Sequence, residues 1–261
     1  MQRFMYGTAW KEDATEACVV AALAAGFREI DTANQRKHYF EEGVGRAIAR
    51  AGIPRDELFL QSKFTFRDGQ DHRLPYDPRA PIAEQVAQSY ASSLEHLGVA
   101  RLDSYVLHGP SLAQGLGPDD REAWTAMETL GAGALGISNV TAGQLRELLA
   151  FATVRPTYVQ NRCYAQRGWD SDVRAICRAE GITYQGFSLL TANRHVVARL
   201  APLAATYAVQ PAQIVFRFAQ QIGMLPLTGT TDPRHMREDL AIGSFTLTPD
   251  EVARIEKLGP T

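Results

Sequence analysis

The amino-acid sequence predicts an α/β fold, a (β/α)8 TIM barrel that forms a single domain over residues 1–261. Eight short apolar runs are bounded by Gly, Pro or polar residues, as buried parallel strands are. Amphipathic stretches separate most of these runs. Eight strand–helix units in a chain of 261 residues favour a closed barrel over an open doubly wound sheet.

The predicted strands follow one another around the barrel in chain order. They cover residues 3–7, 28–31, 58–63, 102–108, 134–138, 157–160, 182–187 and 224–228. In such a barrel the carboxyl ends of all the strands meet at one mouth, where active sites lie. Polar residues at the ends of these runs are therefore expected to converge there.

The predicted helices have apolar residues at three- and four-residue spacing. They cover residues 14–25, 81–97, 119–130, a segment that begins at Thr141, 171–180, 211–222 and a short segment after Thr248. Thr141 is followed three positions later by Gln144, which is a capping-box pattern, and Leu145, Leu148 and Leu149 then form an apolar stripe.

The composition is that of an ordinary globular domain and limits the choice of partners. Apolar residues make up 45% of the chain, and 27 Lys and Arg face 29 Asp and Glu, for a net charge of −2. A nearly neutral chain without a basic run argues against nucleic acid or an anionic membrane as the partner. The three cysteines show no ligand spacing, so neither a disulfide framework nor a metal site is expected.

The sequence also indicates a location. Its N-terminus lacks the apolar core and cleavage pattern of a signal peptide, and no apolar run approaches the length of a membrane span. We therefore expect a cytoplasmic protein.

Polar residues lie at the carboxyl ends of several of the predicted strands. Taken alone, each has an ordinary explanation: Asp31 as a helix cap, Lys63 as a solvated side chain and His108 as a turn histidine. A barrel brings such positions together, and structural needs do not require them all to be polar. The full set comprises Asp31, Lys63, His108, Ser138, Asn139, Gln160, Asn161, Phe187 and Ser188.

A lysine beside a carboxylate is suited to activating a proton donor. The ammonium stays charged next to the carboxylate, and it lowers the pKa of a neighbouring acid. Tyrosine benefits most, because its ordinary pKa of about 10 is too high for efficient proton transfer near neutrality. The candidates are Tyr39, Tyr105, Tyr164 and Tyr184. Tyr39 lies in a loop after a strand end, whereas Tyr105 and Tyr184 lie within strand runs and are expected in the core.

In combination these residues resemble the aldo-keto reductases, from Met5 to about Leu258. The resemblance implies a (β/α)8 barrel that transfers a hydride from a nicotinamide cofactor to an aldehyde or ketone, acts on a small carbonyl or alcohol substrate, and is a monomer. The motifs, in chain order, are Gly7-Thr8, Ile30-Asp31-Thr32-Ala33, Tyr39 with Glu42 and Val44-Gly45, Lys63, Leu107-His108 with Pro110, Gly136-Ile137-Ser138-Asn139, and Gln160.

The resemblance also implies a role for each matching residue. Tyr39 would donate the proton, Lys63 paired with Asp31 would lower the pKa of Tyr39, and His108 would orient the carbonyl. The implied cofactor-binding residues are Gly7, Thr8, Asp31, Ser138, Asn139, Gln160, Phe187, Ser188, Leu190, Thr228, Gly229, Thr230, Thr231, His235 and Asp239. Trp10, Phe64, Pro110 and Trp169 are candidate walls of the substrate pocket.

Two departures from the family pattern affect these assignments. Tyr39 stands eight positions after Asp31, and Arg36 occupies the family's usual place for the tyrosine. The usual phosphate clamp for NADP is also replaced, here by the segment from Pro226 to Thr231, with His235 near the place of its arginine. NADP(H) is favoured over NAD(H) because it is the family's common cofactor.

Two other classes of function compete with this reading. A non-catalytic regulatory or binding protein on the same barrel would explain the shifted loop before Tyr39, although it would have no chemical need for all four catalytic candidates. A hydrolase or lyase without nicotinamide is the other alternative, but the sequence offers neither a metal-ligand cluster nor a Gly-x-Ser-x-Gly motif.

Overall fold

A computed structural model describes residues 3–259, and in it eight parallel strands close into a barrel in chain order, β1-β2-β3-β4-β5-β6-β7-β8. The last strand pairs with the first, Met5 opposite Leu227, so the sheet has no free edge. The predicted fold is confirmed. The strands are β1 Met5–Gly7, β2 Glu29–Asp31, β3 Phe59–Phe64, β4 Ser104–Leu107, β5 Leu135–Ser138, β6 Tyr158–Arg162, β7 Thr183–Phe187 and β8 Met224–Thr228.

Helices surround the barrel and connect its strands. They are α1 Thr15–Ala25, α2 Glu41–Ala51, α3 Ile82–Leu97, α4 Pro118–Met127, α5 Ala142–Phe151, α6 Ser171–Glu180, α7 Arg194–Arg199, α8 Ala201–Thr206, α9 Pro211–Gln221, α10 Pro233–Leu240 and α11 Pro249–Glu256. Within residues 3–259, none of them is long and apolar enough to cross a membrane.

Local capping explains why some helix starts were predicted correctly. The Thr141 side chain accepts a hydrogen bond from the backbone of Gln144, and the Gln144 side chain accepts one from the backbone of Thr141. Thr248 and Glu251 form the same reciprocal pair at the start of α11. Each capping box satisfies backbone N–H groups that the first helical turn leaves without partners.

Four helices were not predicted, and α2, which follows the Tyr39 loop, is the most consequential. It contains Gly43 and Gly45, and glycine lowers intrinsic helix propensity. Tertiary packing explains Gly45, since a Cβ there would lie 2.1 Å from the backbone oxygen of His96 at the end of α3. The glycine therefore allows α2 and α3 to approach closely.

The barrel interior is divided into apolar and polar layers. Met5, Leu225 and Leu227 form a small buried cluster against Phe59, separate from the large core between strands and helices. Above this cluster, towards the carboxyl ends of the strands, the interior side chains become polar. Buried polar side chains require hydrogen-bond partners, and those partners define the candidate site.

The close approach at Gly45 yields a stability prediction. Gly45→Ala should lower the free energy of unfolding by about 3 kcal/mol, because α2 must move off the α3 backbone to admit the methyl group. Gly143→Ala in α5 is the matched control: its Cβ would meet only Thr141 Oγ1 at 3.8 Å, and alanine favours a helix. Urea denaturation of both variants measures the effect. Equal midpoints for the two variants would contradict this account of α2.

Candidate active site

A buried ion pair between Lys63 and Asp31 lies at the centre of the site. The Lys63 Nζ lies 2.6 and 2.7 Å from the two Asp31 carboxylate oxygens and donates a third bond, of 2.7 Å, to the backbone oxygen of Thr32. The Lys63 side chain is fully buried and that of Asp31 is 4% exposed. Burial lowers the pKa of Lys63 and the Asp31 carboxylate opposes this shift. The three bonds satisfy every ammonium proton.

Three glutamines extend this pair across the barrel. Gln61 Nε2 and Gln160 Nε2 donate to Asp31 Oδ1 over 2.7 and 3.0 Å, and both also donate to Gln185 Oε1. The network joins β2, β3, β6 and β7. Sequence reasoning identified Gln160 but missed Gln61 and Gln185. The available signal was spacing, since Gln61 and Lys63 stand two apart on one strand, and alternate strand residues point to the same face.

Tyr39 reaches the mouth of the barrel from the loop between β2 and α2. Its ring centre lies 5.3 Å from Lys63 Nζ and 5.8 Å from the His108 ring centre. The Lys63 donors are all taken by Asp31 and Thr32, so Lys63 does not donate to Tyr39. Burial and the charge of Asp31 raise the pKa of Tyr39, and the positive charge of Arg162 opposes them. The lowering of that pKa by Lys63 therefore stays a prediction.

The lengthened loop explains how Tyr39, rather than Arg36, faces the site. Arg36 Nη1 donates to the backbone oxygen of Tyr39 over 3.3 Å, and its guanidinium lies 3.9 Å from the centre of the Phe40 ring. Gln35 accepts backbone bonds from His38 and Tyr39 and so closes the turn. The Arg36 side chain is thus directed away from the main cavity, which Tyr39 lines.

His108 follows β4 and faces Tyr39 across the mouth. Its Nδ1 lies 2.7 Å from Thr65 Oγ1, just beyond β3. Burial and the positive charge of Lys63 lower the pKa of His108 to about 3, so the imidazole is neutral near pH 7. When the Thr65 hydroxyl donates to Nδ1, the proton resides on Nε2 and a hydrogen-bond donor is available to a ligand.

These residues surround a cavity of about 510 Å³ at the carboxyl ends of the strands. Two residues of the cavity wall have a strained backbone: Asn139 and Ser188, which follow β5 and β7, have φ of 55° and 56°, a region that non-glycine residues rarely adopt. Of the predicted set, the cavity is lined by Gly7, Asp31, Tyr39, His108, Ser138, Asn139, Gln160, Phe187, Ser188, Leu190, Thr228, Gly229 and Thr230. Lys63 lies behind Asp31.

Four predicted cofactor residues do not line this cavity. Thr8 is fully buried, and its backbone and side chain both donate to the Asp31 backbone oxygen. Thr231 is exposed before α10, and His235 is exposed in the first turn of that helix. Asp239 is buried near the end of α10, where burial raises its pKa to about 7 and a hydrogen bond from Thr228 opposes that shift.

The predicted pocket walls divide in the same way. Trp10 lines the cavity and stacks on His38, with ring centres 3.8 Å apart. Phe64 and Trp169 are instead fully buried in the core between strands and helices, and Pro110 lies outside the cavity. Residues of the cavity wall that the sequence did not indicate include Gln35, His38 and Arg162.

This arrangement defines a class of site: a barrel mouth with a neutral histidine, a tyrosine hydroxyl and a buried ion pair, suited to binding and protonating a polarised oxygen. Comparison with known proteins then identifies the family. The aldo/keto reductase family profile matches residues 4–260, and this chain belongs to that family. Its members are oxidoreductases that reduce carbonyl compounds.

Individual relatives cover most of the chain. The chain is 31% identical over 248 residues to 2,5-diketo-D-gluconic acid reductase B of a Corynebacterium species, covering 93% of this chain and 83% of that protein. It is 32% identical over 248 residues to the NAD/NADP-dependent indole-3-acetaldehyde reductase of Schizosaccharomyces pombe, covering 91% and 81%. A Bombyx mori aldo-keto reductase crystallised with NADP superposes with a TM-score of 0.77 at 26% identity, covering 97% and 88%.

The buried carboxyl of Asp239 yields a prediction about pH. Because its pKa is about 7 in the folded chain and lower when unfolded, folding takes up a proton, and stability from this group falls as pH rises towards 7. Asp239→Asn removes the ionisable group and with it this pH-dependent loss of stability. Relative to wild type, the variant should gain about 2 kcal/mol of unfolding free energy between pH 5 and pH 8.

Asp232→Asn is the control for this experiment. The backbone N–H of Arg234 lowers the pKa of the exposed Asp232, so it stays ionised in both states from pH 5 to pH 8. Its difference from wild type should then be constant over that range. Urea titrations at pH 5 and pH 8 measure the free energy of unfolding of both variants. If Asp239→Asn differs from wild type by the same amount at both pH values, the raised pKa of Asp239 is refuted.

Proposed function

We propose that this protein is an NAD(P)H-dependent reductase that transfers a hydride to an aldehyde or ketone, with Tyr39 as the proton donor. The observation that carries the proposal is the convergence of Tyr39, His108 and the Asp31–Lys63 pair on one cavity. Membership of the aldo/keto reductase family supports the same chemistry.

The residues of the cavity fit a nicotinamide cofactor, which supplies the hydride when it is bound. The amide nitrogens of Asn139 and Gln160 donate to protein acceptors, which leaves their side-chain oxygens to accept from the cofactor's carboxamide. The Ser138 hydroxyl is placed beside them as a donor, and the half-buried Phe187 offers a ring face. We infer that these four residues hold the nicotinamide.

His108 and Tyr39 would act on the substrate oxygen. The neutral imidazole donates from Nε2 and orients the carbonyl, with Thr65 holding the ring from the other side. Burial keeps the Tyr39 hydroxyl protonated, as a proton donor requires. As the proton leaves, the Lys63 ammonium favours the phenolate that forms, because its charge lies 5.3 Å from the ring centre.

We favour NADP(H) over NAD(H) as the cofactor. The silkworm relative binds NADP, and the S. pombe relative is described as using both cofactors. On this chain, the Thr230 hydroxyl lies in the cavity wall after β8, and the exposed Arg234 and His235 lie in the first turn of α10, where they are available to a phosphate. The monomeric state and the cytoplasmic location remain predictions from the sequence.

Tyr39→Phe tests the proposal. With NADPH and 4-nitrobenzaldehyde, kcat should fall by at least about 100-fold, because the proton donor is lost while the ring still packs against His108. The NADPH dissociation constant, measured by quenching of tryptophan fluorescence, should stay within about twofold of wild type because the cofactor groups are untouched. Tyr164→Phe, outside the cavity, is the matched control and should retain full activity.

Normal turnover by Tyr39→Phe would remove Tyr39 from its role. If wild type binds NADPH but oxidises it with no aldehyde or ketone in a broad panel, the non-catalytic binding protein becomes the better description of this barrel.

A further inference from the structure

One charged residue of the cavity has no part in the proposed mechanism. Arg162 is the last residue of β6 and stands two positions after Gln160, which points into the barrel. Alternate strand residues share a face, so Arg162 lies above Gln160 at the mouth. It is exposed and lines the cavity, with its guanidinium carbon 5.5 Å from the centre of the Phe187 ring.

In the described part of the chain, the Arg162 charge has no acidic partner. No Asp or Glu side chain among residues 3–259 lies within 4.0 Å of its nitrogens. Asp31, which is an acidic residue of the cavity wall, is paired with Lys63. Burial lowers the pKa of both His38 and His108, so neither adds positive charge near pH 7. Among the described residues that line the cavity, Arg162 is therefore the cation without an acidic partner.

The position of Arg162 favours an anionic group on the substrate over one on the cofactor. Arg162 lines the same cavity as Tyr39, and Gln160, two positions earlier on β6, donates to the Asp31 carboxylate of the ion pair beside Tyr39. The backbone and hydroxyl groups that would face the rest of the cofactor belong to the loops after β7 and β8, at Ser188, Thr228 and Thr230. An anion beside Arg162 is thus close to the reacting carbonyl.

We propose that Arg162 binds a carboxylate of the substrate, and that this chain prefers aldehydes or ketones that carry such a group. This inference rests on the proposed reductase function and adds a substrate class to it. A guanidinium forms bidentate, charge-assisted hydrogen bonds with a carboxylate, and these bonds are stronger inside a cavity than in water. The apolar part of the cavity wall at Trp10, which packs on His38, would receive the remainder of the substrate.

The experiment compares each acid with its neutral ester. Wild type and Arg162→Gln are assayed with NADPH against 4-carboxybenzaldehyde and its methyl ester, and against succinic semialdehyde and its methyl ester. For at least one pair, wild type should prefer the acid by about 10-fold or more in kcat/KM, and Arg162→Gln should abolish that preference mainly through KM. Arg162→Lys should retain part of it.

Arg167→Gln is the matched control for these assays. Arg167 also stacks on an aromatic ring, 5.1 Å from the centre of Tyr164, but it lies outside the cavity. This variant should keep the wild-type preference for the acids. Loss of the preference in both variants would indicate a general charge effect and would overturn the assignment to Arg162.

Binding measurements separate the inference from the proposed function. Calorimetric titration of wild type with 4-(hydroxymethyl)benzoate in the presence of NADP should show binding that Arg162→Gln weakens by about 10-fold, with or without turnover. The NADPH dissociation constant should be the same in both proteins. A similar weakening of NADPH, or equal kcat/KM for acids and esters in wild type, would overturn the inference. Turnover of the esters would show that the reductase function itself stands.

Discussion

The ion pair between Lys63 and Asp31 is the interaction on which the rest of the site depends. Two charges buried in a barrel lose their hydration, and this loss is offset only when every proton and lone pair finds a partner. Here the Thr32 backbone oxygen accepts a hydrogen bond from the Lys63 ammonium, and Gln61 and Gln160 donate to the Asp31 carboxylate. Removing either charge would leave the other buried and uncompensated, at a cost of about 3–5 kcal/mol.

The pair in turn constrains the groups around it. Together with burial, the Lys63 charge lowers the pKa of His108, and burial and the Asp31 charge raise the pKa of Tyr39. The neighbouring residue Ser62 donates to Glu41 at the start of α2, and Glu41 also accepts from Ser93 and His96 of α3. The helix that follows the Tyr39 loop is therefore anchored to the strand that carries Lys63.

The fold and much of the site could be predicted from the sequence because their signals are local. Capping residues such as Thr141 and Thr248 mark helix starts, and the family motifs carry Asp31, Tyr39, Lys63 and His108 in order. The helix α2 was missed because packing against α3, rather than propensity, accounts for its glycines. The helix α2 depends on its close contact with α3, which cannot be predicted from the local sequence.

Two further errors of the sequence prediction concern strands: residues that point into the barrel were missed, and β6 was predicted to end too early. Both faces are buried, so hydrophobicity does not tell which residues point inwards, and Gln61 and Gln185 looked like ordinary strand residues. Spacing from a residue already assigned to the site, as of Gln61 from Lys63, is the signal that identifies the inward face. The predicted strand ended at Gln160, but β6 continues to Arg162. Two further residues of pairing with β7 place that arginine at the mouth, beyond the end of the predicted strand.

The most direct test of the proposed carbonyl reduction by NADPH is a single-turnover measurement on the wild-type protein. Protein in excess over NADPH, so that the cofactor is bound, is mixed with excess 4-nitrobenzaldehyde, and the near-ultraviolet absorbance of the reduced nicotinamide is followed. We expect an exponential loss of all the bound NADPH, with one turnover for each occupied protein. Bound NADPH whose absorbance does not change with this or any other aldehyde or ketone would contradict it.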